Sequence, residues 1–188
     1  MYAAVLDTCV LVPNALCDTL LRLAEQGFYR PLWSERILAE LRQTLAGLYP
    51  TVDPARFGRR TDAMTAAFED ACVVGWEAVC AGLDLPDPDD RHVLAAAIVG
   101  GGQAIVTANL KDLPAETLST YGVEARDPDT FLLDQLDLAP SRTLEILLDQ
   151  AADLHNPPMD LAGLLTALAR CGVPNFVEAV RRLAPEHT

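Results

Sequence analysis

The sequence predicts an α/β domain with a mainly parallel sheet, followed by an all-helical extension. Short apolar runs alternate with stretches of helical periodicity over residues 1–134, and strand-like runs cease after about residue 135. The composition, 51% hydrophobic and 22% charged over 188 residues, supplies a real core and excludes a disordered chain.

The run Ala3-Ala4-Val5-Leu6, closed by Asp7, suits a buried strand. Pro13-Asn14 opens a helix carrying Leu16, Leu20 and Leu23, and Gly27 stops it. Ser34 is placed to cap a helix with Ile37, Leu41, Leu45 and Leu48 at helical spacing, ended by Pro50. Residues 55–80 read as further helix through Met64, Ala67, Phe68 and Ala71, before a short strand at Val73-Val74. The loop from Asp84 to Asp90 leads into a helix from Pro88 to Val99. A turn at Gly100-Gly101-Gly102 then precedes a strand from Gln103 to Ala108. Val123-Glu124-Ala125 reads as one more strand, and Asp127-Pro128 as the start of another helix. Residues 140–154, 160–171 and 174–184 form three helices, separated by His155–Pro158 and Gly172–Pro174. The expected domains are 1–134 and 135–188.

The formal charge is −13, from 27 acids and 14 bases, divided as −10 over residues 1–134 and −3 over 135–188. That balance excludes a broad basic surface for polyanions, so nucleic acid would have to be held through metal or a local basic patch. The five cysteines, Cys9, Cys17, Cys72, Cys80 and Cys171, include no CxxC pair and read as buried thiols in a reducing compartment. The start MYAAVLDTCVLV lacks the basic flank of a signal peptide, and the uncharged stretch ending at Leu110 is broken by glycines. The expectation is a cytoplasmic protein with no membrane span.

Four acids crowd the loop at Asp84, Asp87, Asp89 and Asp90. With Asp87 as cap and Pro88 as first helical residue, a wheel at about 100° per residue puts Asp90 on the apolar face and points Asp89 and His92 away from it. An inward carboxylate needs a partner or a metal, although simple capping of its own helix is an open alternative. Asp7 closes one strand and Asp112 follows the other clear one, where open α/β sheets place ligands. Clustered carboxylates suit Mg²⁺ or Mn²⁺. No HExxH or paired-histidine spacing supports zinc among His92, His155 and His187. Thr107, at a strand end, could orient a carboxylate or simply fill the core.

The blocks LDTCVLV, WSERILAELR, PDPDDRHVLAAAI and IVTANLKDLP make the chain similar to the PIN-domain family of metal-dependent ribonucleases, in particular the VapC-like toxins of bacterial toxin–antitoxin pairs. The later segment HNPPMDLAGLLTALARCGVPNFVEAVRRL resembles a helical C-terminal extension of a subgroup. The resemblance implies a three-layer α/β/α domain and an acidic quartet, Asp7, Glu40, Asp90 and Asp112, as catalytic and metal ligands. It implies Thr8 and Asn109 as supporting residues; Thr107 is a further supporting candidate from its strand-end position alone. It alone selects Glu40, which lies well off the Ile37/Leu41/Leu45 face.

The implied activity is hydrolysis of RNA with Mg²⁺ or Mn²⁺. Arg56, Arg60 and Arg91 are the candidates for substrate contact, although a solvated face is the alternative for the Arg56, Arg59, Arg60 group. The implied partners are a cognate antitoxin and a second copy in a homodimer. Asp87 and Asp89 are either extra ligands or solvated loop acids. Haloacid-dehalogenase and phosphoreceiver readings fail, because Cys9 stands where the first needs an Asp and the second lacks its adjacent acid pair. A catalytically silent PIN-like module that binds RNA or a protein is the remaining alternative.

Overall fold

The computed structural model describes residues 1–155 and 158–184; Asn156, Pro157 and His187 lie outside them. In chain order the elements are β1 (Ala3–Leu6), α1 (Thr8–Leu11), α2 (Asn14–Glu25), β2 (Arg30–Leu32), α3 (Glu35–Leu48), α4 (Ala55–Ala67) and α5 (Glu77–Cys80). A 3-10 turn, Pro88–Asp90, leads into α6 (Arg91–Gly100) and β3 (Ala104–Val106). A second such turn, Leu110–Asp112, is followed by α7 (Ala115–Ser119), β4 (Glu124–Arg126), α8 (Pro128–Leu138), α9 (Pro140–Ala152), α10 (Leu161–Arg170) and α11 (Pro174–Leu183). Among the described residues no helix is long and apolar enough to cross a membrane.

The four strands form one sheet in the order β2-β1-β3-β4, every pair parallel. The central strands β1 and β3 are buried along their whole length, which is why they read as unbroken apolar runs rather than alternating ones. Sequence reasoning found β1, β3 and β4 but missed β2. Arg30-Pro31-Leu32 is short and carries a proline, a combination that argues against a strand except at a sheet edge, where β2 lies. The expected strand at Val73-Val74 is absent; Trp33 pairs with Cys72 in an isolated parallel bridge instead. The helical stretch expected over 55–80 breaks after Ala67 and resumes only for Glu77–Cys80.

The chain divides into two compact units. One comprises residues 1–12 and 29–126 and contains the sheet; the other comprises 13–28 and 127–188 and contains α2 with α8 to α11. The boundary expected at 135 falls inside α8, and α2 belongs with the later helices. Its face, Leu16, Leu20 and Leu23, is buried, and α2 packs on α9 and α10. Thr19 Oγ1 donates to Gln150 Oε1 at 2.7 Å inside that packing, and Gln150 Nε2 donates to the Ala15 carbonyl at 3.1 Å. Leu164, Leu165, Leu168, Phe176 and Val180 complete this core.

One tight spot in the sheet unit yields a stability test. A methyl group on Gly100 would stand 2.7 Å from Val73 Cγ2 and 3.0 Å from Leu32 Cδ1. Alanine gains about 0.5–1 kcal/mol of helix propensity, but crowding costs about 1–3 kcal/mol. Val73 is a stiff β-branched residue pinned by its backbone bond to the Trp33 carbonyl at 2.8 Å, so crowding wins. Gly100→Ala should therefore lower the urea midpoint by an amount equivalent to about 1 kcal/mol.

Candidate active site

The site starts from strand register. Leu6 of β1 is aligned with Val106 of β3, so the next residues, Asp7 and Thr107, emerge side by side at the carboxyl edge of the sheet. The Asp7 amide donates to the Val106 carbonyl at 3.1 Å and carries the pairing one step beyond β1. Asp7 then turns the chain as the cap of α1, accepting from the Thr8 amide at 2.6 Å. Its other oxygen accepts from Thr107 Oγ1 at 2.7 Å and from the Cys9 thiol at 3.2 Å. Thr107 thus touches the Asp7 carboxylate and is fully buried as well, so it has the features of both readings.

Asp90 closes the 3-10 turn at the start of α6 and is half-buried. Asp87 caps that turn, accepting from the Asp89 amide at 2.9 Å, as its position before Pro88 predicts. Asn109 Nδ2 donates to Asp90 Oδ2 at 3.1 Å, while the Asn109 amide donates to Thr107 Oγ1 at 3.0 Å. One hydroxyl-and-amide chain therefore links the carboxylates of Asp7 and Asp90. Asp112 ends the second 3-10 turn, with Lys111 Nζ 3.8 Å from its Oδ2.

One carboxylate oxygen from each of Asp87, Asp90 and Asp112 lies within 4.8 Å of the others. Burial, and after it the charges of Asp7, Asp87 and Asp112, push Asp90 up to about 6. An all-oxygen donor set under mutual repulsion fits a hard divalent cation, which would relieve that repulsion.

Glu40 is placed differently. It projects from α3 with its Oε1 3.0 Å from Arg36 Nε and 3.1 Å from His92 Nε2, while Thr8 Oγ1 donates to Oε2 at 3.4 Å. Burial acts upwards on its pKa, but hydrogen bonds and charge from His92 and Arg36 hold it below the usual carboxylate range. Arg36 also stands 3.8 Å from Asp89, which is otherwise exposed.

His92 reverses the helical-wheel expectation: it is only 2% exposed. The helix α6 packs on β1, β2 and β3 and also on α5, so residues His92 to Ala97 are all buried and its first turns have no solvent face. A wheel assumes one apolar stripe, and the run VLAAAIV, apolar all the way round the helix, was the available warning. Arg36 was legible too, since it precedes Glu40 by one helical turn.

The arginines are dispersed. Arg56 and Arg59 are exposed on α4. Arg60 Nη2 donates to the Leu11 carbonyl at 2.6 Å, tying α4 to the end of α1. Arg91 is half-buried, and its Nε has no partner among the described residues.

The family model described as "PIN domain" matches residues 3–111, a span that includes β1, Asp7, Glu40, Asp90 and β3. The chain belongs to the PIN-domain family. A second family model, "VapC50 C-terminal domain", matches residues 128–182 of this PIN protein, beginning at the first residue of α8. Among curated proteins it is 45% identical over 96 residues to "Putative ribonuclease VapC50" of Mycobacterium tuberculosis (strain ATCC 25618 / H37Rv). That match covers 51% of this chain and 56% of the relative, so it spans about half the length of each. No solved structure matches the chain.

Proposed function

We propose that the chain is a Mg²⁺- or Mn²⁺-dependent endoribonuclease that acts in the cytoplasm as the toxin of a toxin–antitoxin pair. The observation that carries this reading is the convergence of Asp7, Asp90 and Asp112 with Asp87 at the carboxyl edge of a PIN-domain sheet. The name of the VapC50 relative supports the ribonuclease assignment. A cognate antitoxin and a homodimer are the partners that go with it, and an Arg-bearing antitoxin would be favoured electrostatically at so acidic a cleft.

In this reading Asp90 and Asp112 hold the cation, with Asp7 beside them and Asp87 as a further donor. When bound, a hard divalent ion supplies stabilisation of phosphoryl charge and lowers the pKa of water. Thr107 fixes Asp7 through Oδ2, Asn109 fixes Asp90 through Oδ2, and Thr8 steadies Glu40 through Oε2. These bonds preset the carboxylates, which is what a site acting by position and electrostatics requires. Arg56, Arg60 and Arg91 are proposed to meet the RNA backbone, with Arg60 giving up part of its capacity to the Leu11 carbonyl.

A covalent cysteine route is disfavoured by the surroundings of Cys9. Burial of the sulfur, and then the Asp7 charge, push its thiol up to about 11, so it carries little thiolate at neutral pH.

The test is cleavage of total RNA by the purified chain. Activity is expected with Mg²⁺ or Mn²⁺, and loss to background with EDTA or in Asp7→Asn. Cleavage that survives both treatments overturns the proposal. Metal-dependent RNA binding without cleavage would favour a silent module.

A further inference from the structure

Glu40 lies off the apolar face of α3, and its side chain is 34% exposed. Packing therefore does not fix its three flexible torsions, and hydrogen bonds must. Two donors meet at Oε1 and they differ in quality. Arg36 comes from the same helix, is 40% exposed, and is shared with Asp89 at 3.8 Å, so it is a mobile surface pair of little strength. His92 comes from α6, is 3% exposed in its side chain, and has the Trp76 ring edge-on at 5.9 Å between centroids.

A ring held in this way is a rigid donor. Its Nδ1 is buried and faces no hydrogen-bond partner among the described residues, so the ring meets Glu40 through Nε2, 3.1 Å from Oε1. With Oε1 taken by His92 and Arg36, the remaining oxygen, Oε2, lies against Thr8, the neighbour of Asp7 in sequence.

We propose that His92 is a positioning residue: anchored in α6, it holds Glu40 by Oε1 and thereby presents Oε2 beside Thr8 to the acidic site. The inference rests on the ribonuclease reading for its kinetic consequence, and on geometry alone for the His92 to Glu40 link. It assigns Glu40 to orientation and charge at the edge of the site, outside the Asp87, Asp90, Asp112 group.

The test compares two side chains of similar length in the full chain. In His92→Gln the amide nitrogen can still donate near the place of Nε2, whereas His92→Met fills the space without a donor. His92→Met is expected to lower kcat for RNA by about tenfold at saturating Mn²⁺, the scale of a misplaced group, with KM nearly unchanged. His92→Gln should recover most of that loss. In a Glu40→Gln background, the His92→Met change should have an effect below about twofold, because the partner is already altered. Mn²⁺ affinity by calorimetry should stay within about threefold in both His92 variants, since oxygen ligands elsewhere hold the ion.

A separate arm needs no activity. The imidazole Nε2–H resonance of His92 in the metal-free parent chain should shift in Glu40→Gln. Equal kcat for folded Met and Gln variants overturns the positioning role, and an unmoved resonance overturns the link itself. If His92→Met does not fold, His92→Gln and the resonance decide the question. A parent chain that cleaves no RNA overturns the ribonuclease reading, and the link is then accepted or rejected on the resonance alone.

Discussion

The Asp90→Asn variant is expected to be more stable than the parent chain at pH 8 in EDTA while losing RNA cleavage by about two to three orders of magnitude. Both effects come from one arrangement. Burial and the neighbouring charges of Asp7, Asp87 and Asp112 raise Asp90 from 3.8 to about 6. A carboxyl group raised on folding contributes stability that is fully present below about pH 4 and is lost as pH rises through about 6. At pH 8 the ionised Asp90 therefore opposes folding, and asparagine removes that opposition while still accepting from Asn109 Nδ2.

Solvent screens part of the repulsion at this half-buried position, so the gain is about 1 kcal/mol, or a melting point about 2–4 °C higher. The difference should vanish near pH 4, where Asp90 is protonated in the parent chain, and shrink in saturating Mn²⁺, which stabilises only the parent. A variant that melts lower than the parent at pH 8 in EDTA removes the repulsion argument. Undiminished cleavage removes the catalytic one.

The second large effect lies in the helical unit. Asp129, in the first turn of α8, is 6% exposed. It accepts from the Asn175 amide at 3.1 Å, from Asn175 Nδ2 at 2.8 Å and from the Phe176 amide at 2.7 Å. The start of α11 has no cap from its own Val173, so a carboxylate on another helix satisfies its first amides. Asp129→Ala leaves those donors without an acceptor and should destabilise the chain by about 2–4 kcal/mol. Asp129→Asn, which keeps one good acceptor oxygen, should lose roughly half as much. Urea unfolding with an unchanged slope would measure both, and an alanine variant within about 0.5 kcal/mol of the parent would show that α11 needs no such cap. Mn²⁺ affinity in the folded Asp129→Asn variant should match the parent, since the acidic group lies in the other unit.

The parts of the site that were legible in the sequence are those fixed by local rules. Asp7 ends a buried strand, Asp87 precedes a proline at a helix start, and Asp90 follows three residues later; each position is set by neighbours in sequence. Asp112 was placed by the same rule of strand ends, and it joins Asp87 and Asp90 in space. Glu40 was not legible from periodicity, because its position is set by α1 and α6 and not by its own helix. His92 was read the wrong way round for a related reason: a wheel detects one buried stripe, whereas α6 is covered on two sides. β2 was missed because Pro31 masks an edge strand, and the attachment of α2 to later helices was invisible because no local pattern encodes a partner as distant as Gln150.

That attachment has a consequence for biosynthesis. Helix α2 is made long before α9 and α10, the helices that cover it. At translation rates of about 5–20 residues per second, Leu16, Leu20 and Leu23 wait on the order of ten seconds for their partners. During that interval the nascent chain carries an amphipathic helix with nothing to cover it, while the strands of the other unit are still accumulating. The order of synthesis thus leaves the apolar face of the early segment waiting for the later helices, and folding of the helical unit cannot finish before they are made.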